Sequence, residues 1–357
     1  MSFEDIPFSS IPNFRLKETI TTTSDNSLSS SHQFDCYKDE KGNVILIYPY
    51  FDEPKGYEKD FHICLVDLKT NTLIKALDRE AGRILTIRHF RHPKTKIDYF
   101  VAAYNKGFIA VYDLSNDCRK VVEYDLKYEG FIHNAFLFYD PVKDKMYAVA
   151  SSISSNNITK IVDAENQGSE IKEIQDSKDL TVYSLSYWYN EEAEEGKKHI
   201  IIQCGRNKIL LSEFQSNSTY HKIETDKDFP YASGSIVFKN NGRDMLAVSI
   251  TYGLVLFIDL LKKETVYQFK TEDDVFVHLW SFVRWNDQYL LLSDVEQRRI
   301  IVFDTQDGYK IKSKILCPDM FHDKYIKKII HPIYGESILS VGIDWKLRLY
   351  VNRKFID

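Results

Sequence analysis

The stretch Ile109-Ala110-Val111-Tyr112-Asp113 is a short apolar run that ends in an acid, and similar stretches recur along the 357-residue chain. Successive copies lie 45 to 50 residues apart, and in the last one Val351 stands in place of the acid. Seven copies at so even a spacing indicate an internal repeat. The other six are Ile63-Cys64-Leu65-Val66-Asp67, Thr159-Lys160-Ile161-Val162-Asp163, Ile209-Leu210-Leu211-Ser212-Glu213, Leu256-Phe257-Ile258-Asp259, Ile301-Val302-Phe303-Asp304 and Leu347-Arg348-Leu349-Tyr350-Val351.

Each of these stretches is the third of four short runs rich in Val, Ile, Tyr and Phe. In the second repeat the runs cover residues 84–90, 99–104, 108–114 and 120–125. The fifth repeat has the same order at 234–238, 245–250, 254–261 and 265–270. Runs of this length, separated by turns such as Asn105-Lys106-Gly107, are typical of antiparallel hairpins. Four-stranded units at this period predict the blades of a β-propeller.

The sequence therefore predicts an all-β fold, a seven-bladed β-propeller of four-stranded antiparallel blades. The last repeat supplies only three runs, at 325–330, 337–342 and 346–351, and a β-rich stretch at about residues 15–22 precedes the first complete repeat. This N-terminal strand can complete the last blade, close the ring and cover an edge that would otherwise invite aggregation. We predict a tail at residues 1–13 and one propeller domain over 14–357.

Two stretches carry a resemblance to a known family. The last repeat contains Ser340-Val341-Gly342-Ile343-Asp344-Trp345-Lys346-Leu347-Arg348-Leu349-Tyr350, and the fifth contains Phe238-Lys239-Asn240-Asn241-Gly242-Arg243-Asp244-Met245-Leu246-Ala247. They resemble the WD-repeat propellers, whose third strand ends in Trp-Asp and whose preceding turn carries a structural Asp. The chain departs from the family because the Gly-His pair before the first strand is missing and the Trp is replaced. The Asp-His-Ser/Thr-Trp hydrogen-bond tetrad is therefore not expected in most blades. The replacing residues are Val66, Tyr112, Val162, Ser212, Ile258, Phe303 and Tyr350.

The resemblance also implies a binding face. In WD-repeat propellers the loops that enter the first strand and those that join the second to the third share one rim of the channel, which commonly binds peptides or proteins. A rim of aromatic and arginine residues fits protein recognition better than catalysis. The aromatic-containing loop at residues 50–60 is expected beside it. Carried over by position, the expected partner-binding residues are Arg206, Phe229, Tyr231, Tyr252, Arg298 and Trp345.

Composition limits the other functions. The net charge is −5, with 47 basic and 52 acidic residues interspersed, so no basic stripe favours nucleic acid or an anionic membrane. The N-terminus has no signal-peptide pattern and no apolar run is long enough for membrane insertion. A soluble, cytoplasmic protein is expected. The five cysteines have no close pair, which argues against a zinc site or a disulfide framework and predicts small buried residues in strands.

A search for catalytic chemistry finds little. There is no phosphate loop, no His-Glu-x-x-His and no Gly-x-Ser-x-Gly. His89 and His92 have odd spacing in a strand and face opposite sides, and His331-Pro332 is interpreted as a solvated turn. The repeated acids at the ends of the third strands are interpreted as turn caps. The prediction is therefore no enzyme, no cofactor and no metal. The acids are Asp67, Asp113, Asp163, Asp259 and Asp304.

The favoured function is a non-catalytic scaffold or adaptor that binds other proteins, within a multi-subunit complex. Two alternatives stay open. One is a metal-dependent hydrolase or lyase with a channel-centred site, and the other is a structural role inside a large assembly. The acidic loop Glu191-Glu192-Ala193-Glu194-Glu195 is an alternative docking element, and two or three of Trp188, Trp280 and Trp285 are expected to pack between blades. The innermost strands favour a plain core over a channel-centred site, because they offer mainly apolar residues: Ile84, Leu85, Phe136, Leu185, Ile236, Phe282 and Ile329.

Overall fold

The fold is taken from a computed structural model. It describes residues 14–21, 33–51, 61–77, 84–128, 131–152, 158–174, 180–192, 197–206, 208–216, 218–224, 231–271, 279–320, 323–342 and 346–352. Every regular element in these ranges is a β-strand, and the strands are numbered β1 to β28 in chain order.

The strands form seven four-stranded sheets, each of which is one blade. Blades 1 to 4 consist of β2 (Asp35–Lys38), β3 (Val44–Phe51), β4 (Phe61–Asp67) and β5 (Thr72–Ala76); β6 (Ile84–Arg91), β7 (Asp98–Tyr104), β8 (Phe108–Asp113) and β9 (Arg119–Asp125); β10 (Ile132–Asp140), β11 (Lys145–Ser152), β12 (Thr159–Asp163) and β13 (Lys172–Ile174); and β14 (Val182–Asn190), β15 (Lys198–Gly205), β16 (Lys208–Glu213) and β17 (Ser218–Glu224).

Blades 5 to 7 follow the same plan. They consist of β18 (Ala232–Asn240), β19 (Arg243–Ile250), β20 (Leu254–Asp259) and β21 (Glu264–Lys270); β22 (Leu279–Arg284), β23 (Tyr289–Asp294), β24 (Arg299–Asp304) and β25 (Lys310–Leu316); and β26 (Tyr325–His331), β27 (Gly335–Val341), β28 (Lys346–Asn352) and β1 (Phe14–Thr21). The seven-bladed antiparallel propeller is thus confirmed. The domain limits stay a prediction, because residues 1–13 lie outside the described part.

Closure by the N-terminal strand is also confirmed. β1 pairs antiparallel with β28, from Phe14 opposite Asn352 to Thr21 opposite Lys346, with a bulge between Leu16 and Glu18. The last blade therefore joins strands from both ends of the chain, and the edge of β28 is covered by β1.

The apolar core lies between neighbouring blades rather than in one central cluster. Seven apolar clusters occur, and each joins residues of two neighbouring blades, including the last with the first. The second and third strands of a blade are buried on both faces, and all six residues of β23 are buried. This burial explains why those strands appear in the sequence as continuous apolar runs rather than as alternating ones. Each fully buried Leu or Ile contributes roughly 1.5–3 kcal/mol.

Two of the three tryptophans in or beside the innermost strands pack between blades, as expected. Trp188 is buried among residues of blades 4 and 5, and Trp285 is buried among those of blades 6 and 7. Trp280 instead faces the central channel. All five cysteines are buried, as predicted; Cys36, Cys64 and Cys204 lie within strands, whereas Cys118 and Cys317 lie beside them.

The repeated acids cap turns, as predicted. The Oδ1 atom of Asp163 accepts hydrogen bonds from the backbone N–H groups of Glu165 (3.0 Å) and Asn166 (3.1 Å). The same pair of bonds follows the third strand at Asp113, Asp259 and Asp304, and Asp67 accepts one such bond, from the N–H of Lys69. These carboxylates are thus committed to backbone donors rather than to a central ring.

A second set of caps follows the first strand, where His331 lies. Its Nδ1 accepts from the N–H groups of Ile333 (3.1 Å) and Tyr334 (3.3 Å), and its Nε2 lies 3.1 Å from the carbonyl oxygen of Leu68 in blade 1. The interpretation of His331 as a solvated turn residue was therefore wrong: the ring is buried because it joins blade 7 to blade 1. His92 in blade 2 and Asp140 in blade 3 cap the equivalent turns.

Blade 7 contains a buried polar network of its own. The Asp323 carboxylate accepts from Arg348 at 3.0 Å and from the Ser340 hydroxyl. Asp323 precedes the first strand, Ser340 lies in the second and Arg348 in the third. The three elements of the blade are therefore held by one charged network in which every member has a partner.

Candidate functional site

The predicted binding rim lies at the end of the channel where the first strands begin. Tyr231 directly precedes β18, while Arg206, Tyr252 and Arg298 follow the second strands of blades 4, 5 and 6. All four are exposed. Phe229, Trp345 and residues 52–60 of the aromatic loop lie outside the described residues, as do residues 193–196 of the acidic loop.

Two of the predicted rim residues, Arg206 and Tyr231, are brought together. The Arg206 guanidinium lies over the ring of Tyr231, 5.8 Å from its centroid. The Tyr231 ring also packs edge-on against Tyr183 of blade 4, with centroids 5.0 Å apart. The backbone N–H of Thr251, beside Tyr252, donates to the Tyr231 carbonyl at 2.8 Å. Blades 4 and 5 therefore share one aromatic and cationic cluster at the rim.

Tyr252 and Arg298 both occupy turns in left-handed backbone conformations, with φ of 69° and 48°. Asn and Gly adopt this region readily, whereas bulky side chains do so at a cost of roughly 1–2 kcal/mol. The rim thus carries large side chains at positions where local stability favours small ones. Arg298 lies apart from the Arg206 cluster, and its Nη1 lies 3.4 Å from the carbonyl oxygen of Pro318.

Exposed aromatic residues are concentrated on this rim. In the described part of the chain, three aromatic side chains are more than a third exposed: Phe131 at 48%, Tyr231 at 36% and Tyr252 at 40%. Phe131 was missed in the sequence, although it directly precedes its first strand just as Tyr231 does. That shared position was the available signal.

A cavity of about 140 Å³ opens into the channel at the same end. The sequence offers seven apolar inner-strand residues for a plain core, and Ile84, Leu185 and Ile329 are buried in apolar clusters between blades. Two of the seven, Ile236 and Phe282, also line the cavity. The polar and charged side chains that line it are Gln33, Arg88, His133, Asn134, Ser184, Ser233, Ser235, Ser281 and Lys324.

β-Bulges explain the polar lining. The first strands of blades 2 to 6 each contain a β-bulge near their start. The residues at the bulges are, in blade order, Leu85, His133, Tyr183, Ser233 and the pair Trp280-Ser281. A bulge shifts the alternation of a strand and re-aims its side chains. The polar residues at and after these bulges therefore reach the channel.

The bulges also join the blades. The Thr86 hydroxyl donates to the carbonyl oxygen of His133 at 2.7 Å, and the Asn134 amide donates to that of Tyr183 at 2.8 Å. In both pairs the acceptor is the carbonyl of a bulge residue in the next blade. The hydrogen-bond ladder of that blade's own sheet is interrupted at the bulge. Similar bonds link blades 1 and 2 and blades 6 and 7. The polar channel wall is thus a belt of bonds between blades.

Two cations face the cavity, and both contact aromatic rings. Nη1 of Arg88 donates to the Tyr325 hydroxyl at 2.5 Å, and its guanidinium lies 5.1 Å from that ring centroid. The Lys324 ammonium lies 4.5 Å from the centroid of Trp280. Burial lowers the pKa of Lys324, and Glu296 opposes this shift. No Asp or Glu is among the described residues that line the cavity.

Metal chemistry would need converging ligands. Within the described ranges, no three His, Cys, Asp or Glu side chains are grouped so as to hold a metal ion. His89 and His92 have separate partners: Nε2 of His89 lies 2.8 Å from Asp98, whereas His92 caps its turn. In the same ranges, no helix has the length and apolarity needed to cross a bilayer.

Known proteins resemble this chain in structure but not in sequence. No family model and no curated protein matches it. The β-propeller domain of Cps50 (Swd1) from Myceliophteria thermophila is similar with a TM-score of 0.66 at 10% identity, over 95% of this chain and 99% of that one. A chain in a crystal structure of the mitotic checkpoint complex has a TM-score of 0.69 at 10% identity, over 97% and 94%. At this identity the likeness supports the propeller fold and not a shared function.

Proposed function

We propose that this propeller is a non-catalytic platform that binds other proteins at the rim around the channel mouth. The observation that carries the proposal is the concentration of exposed aromatic side chains there. Phe131, Tyr231 and Tyr252 all lie on this rim. Large aromatics and arginine are the residues that contribute most to protein interfaces, because the aromatic rings bury much area with few rotamers and the guanidinium forms paired hydrogen bonds.

The Arg206–Tyr231 pair adds a physical reason. The guanidinium stacked on the ring keeps its hydrogen-bonding edge in solvent, where it is able to form paired bonds with a carboxylate or a backbone carbonyl. A partner that covers this pair would remove water from the Tyr231 ring and would supply hydrogen-bond acceptors to the Arg206 guanidinium. Phe229 and Trp345 belong to the proposed surface by their positions in the sequence.

Membership of a larger assembly is part of the proposal. One of the similar structures is a chain of the mitotic checkpoint complex, so a propeller of this shape can serve as a subunit among several proteins. A rim that combines separate anchors from blades 3, 4 and 5 suits a partner segment that crosses the channel mouth. We place the protein among intracellular adaptors on these grounds.

The test is quantitative affinity capture of the tagged full chain from cells, followed by mass spectrometry. Tyr231→Ala with Arg206→Glu should lower recovery of a specific partner at least fivefold, and Tyr252→Ala with Arg298→Glu should also lower it. The matched control is Val142→Ala, which alters a 78% exposed side chain in the hairpin at the opposite end of the blade. Recovery with this variant should equal that of the unmodified chain.

Thermal melting separates a lost surface from a lost fold. The rim variants should melt within about 3 °C of the unmodified protein, because exposed positions contribute little to stability. A partner that is captured equally by rim and control variants contradicts the proposed face. Melting that falls sharply in the rim variants would instead assign these residues to the fold.

A further inference from the structure

Two cations at the channel mouth, Arg88 and Lys324, form no salt bridge with a carboxylate in the described part of the chain, and Glu296 acts on Lys324 only through the longer-range field of its charge. Arg88 and Lys324 are both half-buried and both line the cavity, yet their contacts among described residues are with aromatic groups. Removing a charge from water without an opposite charge is costly. Such a pair needs a ligand or solvent to complete it.

Several other buried cations have carboxylate partners. Arg348 pairs with Asp323 at 3.0 Å, Arg299 pairs with Asp294 at 2.6 Å, and Lys327, on the same strand as Tyr325, pairs with Asp35. Arg284 is half-buried without such a partner, and its guanidinium instead donates to two backbone carbonyls and the Thr305 hydroxyl. Arg88 and Lys324 differ from all of these because both line the cavity.

The remaining lining suits an oxyanion. Asn134, Ser184 and Ser281 make the wall around the two cations polar, with hydrogen bonds that already join neighbouring blades, and Trp280 covers one wall. No described lining residue is a carboxylate that would repel an anion. A cavity of about 140 Å³ is large enough for one carboxylate or phosphoryl group, since a single water needs roughly 10–15 Å³ on this measure.

We infer that the cavity binds the oxyanion of a peptide side chain, a phosphoryl or carboxylate group, inserted between Arg88 and Lys324. This inference rests on the proposed function, because it names the chemistry of the partner segment that crosses the rim. Tyr183 connects the two features: it lines the cavity, and its ring packs against Tyr231 of the rim cluster. A peptide anchored at Tyr231 therefore has a direct path into the channel mouth.

The experiment compares three peptide libraries that differ only at a fixed central residue, which is phosphoserine, glutamate or serine. Binding to the full-length purified protein is measured by fluorescence anisotropy at low salt. We expect phosphoserine to bind at least tenfold more tightly than serine, with glutamate between them. Raising the salt from 50 to 500 mM should reduce this preference, since screening weakens exposed ion pairs.

Substitutions of the two cations test whether the preference for phosphoserine arises in the cavity. Arg88→Gln and Lys324→Gln should each reduce the phosphoserine preference at least fivefold, and together they should abolish it. Arg88→Lys keeps the charge and should keep part of the preference. The matched controls are Arg91→Gln, at the exposed end of β6, and Lys314→Gln on the exposed outer strand of blade 6. Neither control should change binding. Because Arg88 also holds Tyr325, melting curves accompany each variant.

Several outcomes overturn the inference. Equal binding of the three libraries would do so, as would a phosphoserine preference that survives in the Arg88→Gln/Lys324→Gln protein. Inorganic phosphate that competes as well as the phosphoserine peptide would assign the cavity to a free anion. If partner capture from cells is reduced by the Tyr231 variant but not by the Arg88 and Lys324 variants, the anion site is wrong and the proposed binding rim is retained. If none of these variants reduces capture, the proposed binding rim is wrong as well.

Discussion

The indole nitrogen of Trp188 lies 3.0 Å from a carboxylate oxygen of Asp244, and this hydrogen bond joins the first strand of blade 4 to the second strand of blade 5. Trp188 is only 2% exposed, so the indole N–H has no access to bulk water. Trp188→Phe should lower the free energy of unfolding by about 1–3 kcal/mol, because it removes a bond to a charged acceptor and leaves that acceptor buried. Urea denaturation at pH 7 measures the change.

The control for this prediction is a double-mutant cycle with Asp244→Asn, which keeps an acceptor and removes the charge. If the cost of Trp188→Phe is the same with Asn as with Asp at position 244, the charge of the acceptor has no effect. A cost below about 0.5 kcal/mol in both backgrounds would show that packing alone joins these blades, since a lost hydrogen bond to a charged group costs more.

Closure of the ring gives a second prediction. Deleting residues 1–22 removes β1 and exposes the edge of β28 from Lys346 to Asn352. The melting temperature should fall by at least 5 °C and the protein should aggregate more readily, because an unpaired edge recruits other strands. Differential scanning fluorimetry and light scattering measure both effects.

The matched control deletes residues 1–12 only and retains β1. This shorter deletion should melt like the full chain. Should the two deletions behave alike, the pairing of β1 with β28 contributes little, and the contacts between blades 7 and 1 are enough to hold the ring.

The sequence was sufficient to predict the repeat, the blade count and the closing strand. The reason is physical: buried second and third strands must be apolar along their whole length, and capped turns need an acid at a fixed offset. Asp113 shows this, since its carboxylate accepts from the N–H groups of Ser115 and Asn116 just as the pattern required. Within the second repeat the predicted strand limits differ from those observed by one residue.

The candidate site could be predicted only in part. Arg206, Tyr231, Tyr252 and Arg298 lie in rim loops, but the cavity was missed because a bulge changes which side chains face the channel. A one-residue shift in a strand moves every later side chain to the other face, and the sequence carries no clear mark of it. The burial of His331 was missed for a similar reason, since its partner Leu68 is distant in the chain.

The His331 cap predicts a dependence of stability on pH. Burial lowers the pKa of His331 below its ordinary value of 6.5, although its bond to the Leu68 carbonyl opposes the shift. The folded protein therefore binds this proton less readily than the unfolded chain does. Its contribution is fully present above pH 6.5 and is lost as the pH falls from there toward the folded pKa. Protonation also converts Nδ1 from an acceptor into a donor facing two N–H groups.

His331→Asn tests this account, because Asn190 and Asp140 cap the equivalent turns in blades 4 and 3. The variant should be less stable at pH 7.5 by about 1–2 kcal/mol, through the lost bond to Leu68. The difference from the unmodified protein should shrink as the pH falls from 7 to 5. A difference that stays constant over this range would show that His331 does not titrate there. Guanidinium unfolding at matched ionic strength provides the measurement.

Gly234 provides the last prediction, because it lies where blades 5 and 6 approach most closely beside the channel. A Cβ atom at this position would lie 1.8 Å from the carbonyl oxygen of Trp280 and 3.1 Å from the Ser249 hydroxyl. The first of these is a backbone atom, so the two strands themselves would have to separate. Gly234→Ala should therefore cost more than about 3 kcal/mol, as overpacking of rigid parts does.

Gly242→Ala is the control, since a Cβ there meets no atom within 4 Å and its φ of 78° alone opposes the change. That conformational cost is about 1–2 kcal/mol, so Gly234→Ala must exceed it clearly in urea denaturation. The same variant should weaken peptide binding, because Trp280 lines the cavity and its main chain would have to move. A Gly234→Ala protein as stable as Gly242→Ala would mean that blade 6 moves outward at little cost. The channel wall would then deform at little cost in free energy. In that case the fold alone would not fix the position of the Lys324 ammonium over the Trp280 ring, and a bound ligand would determine it.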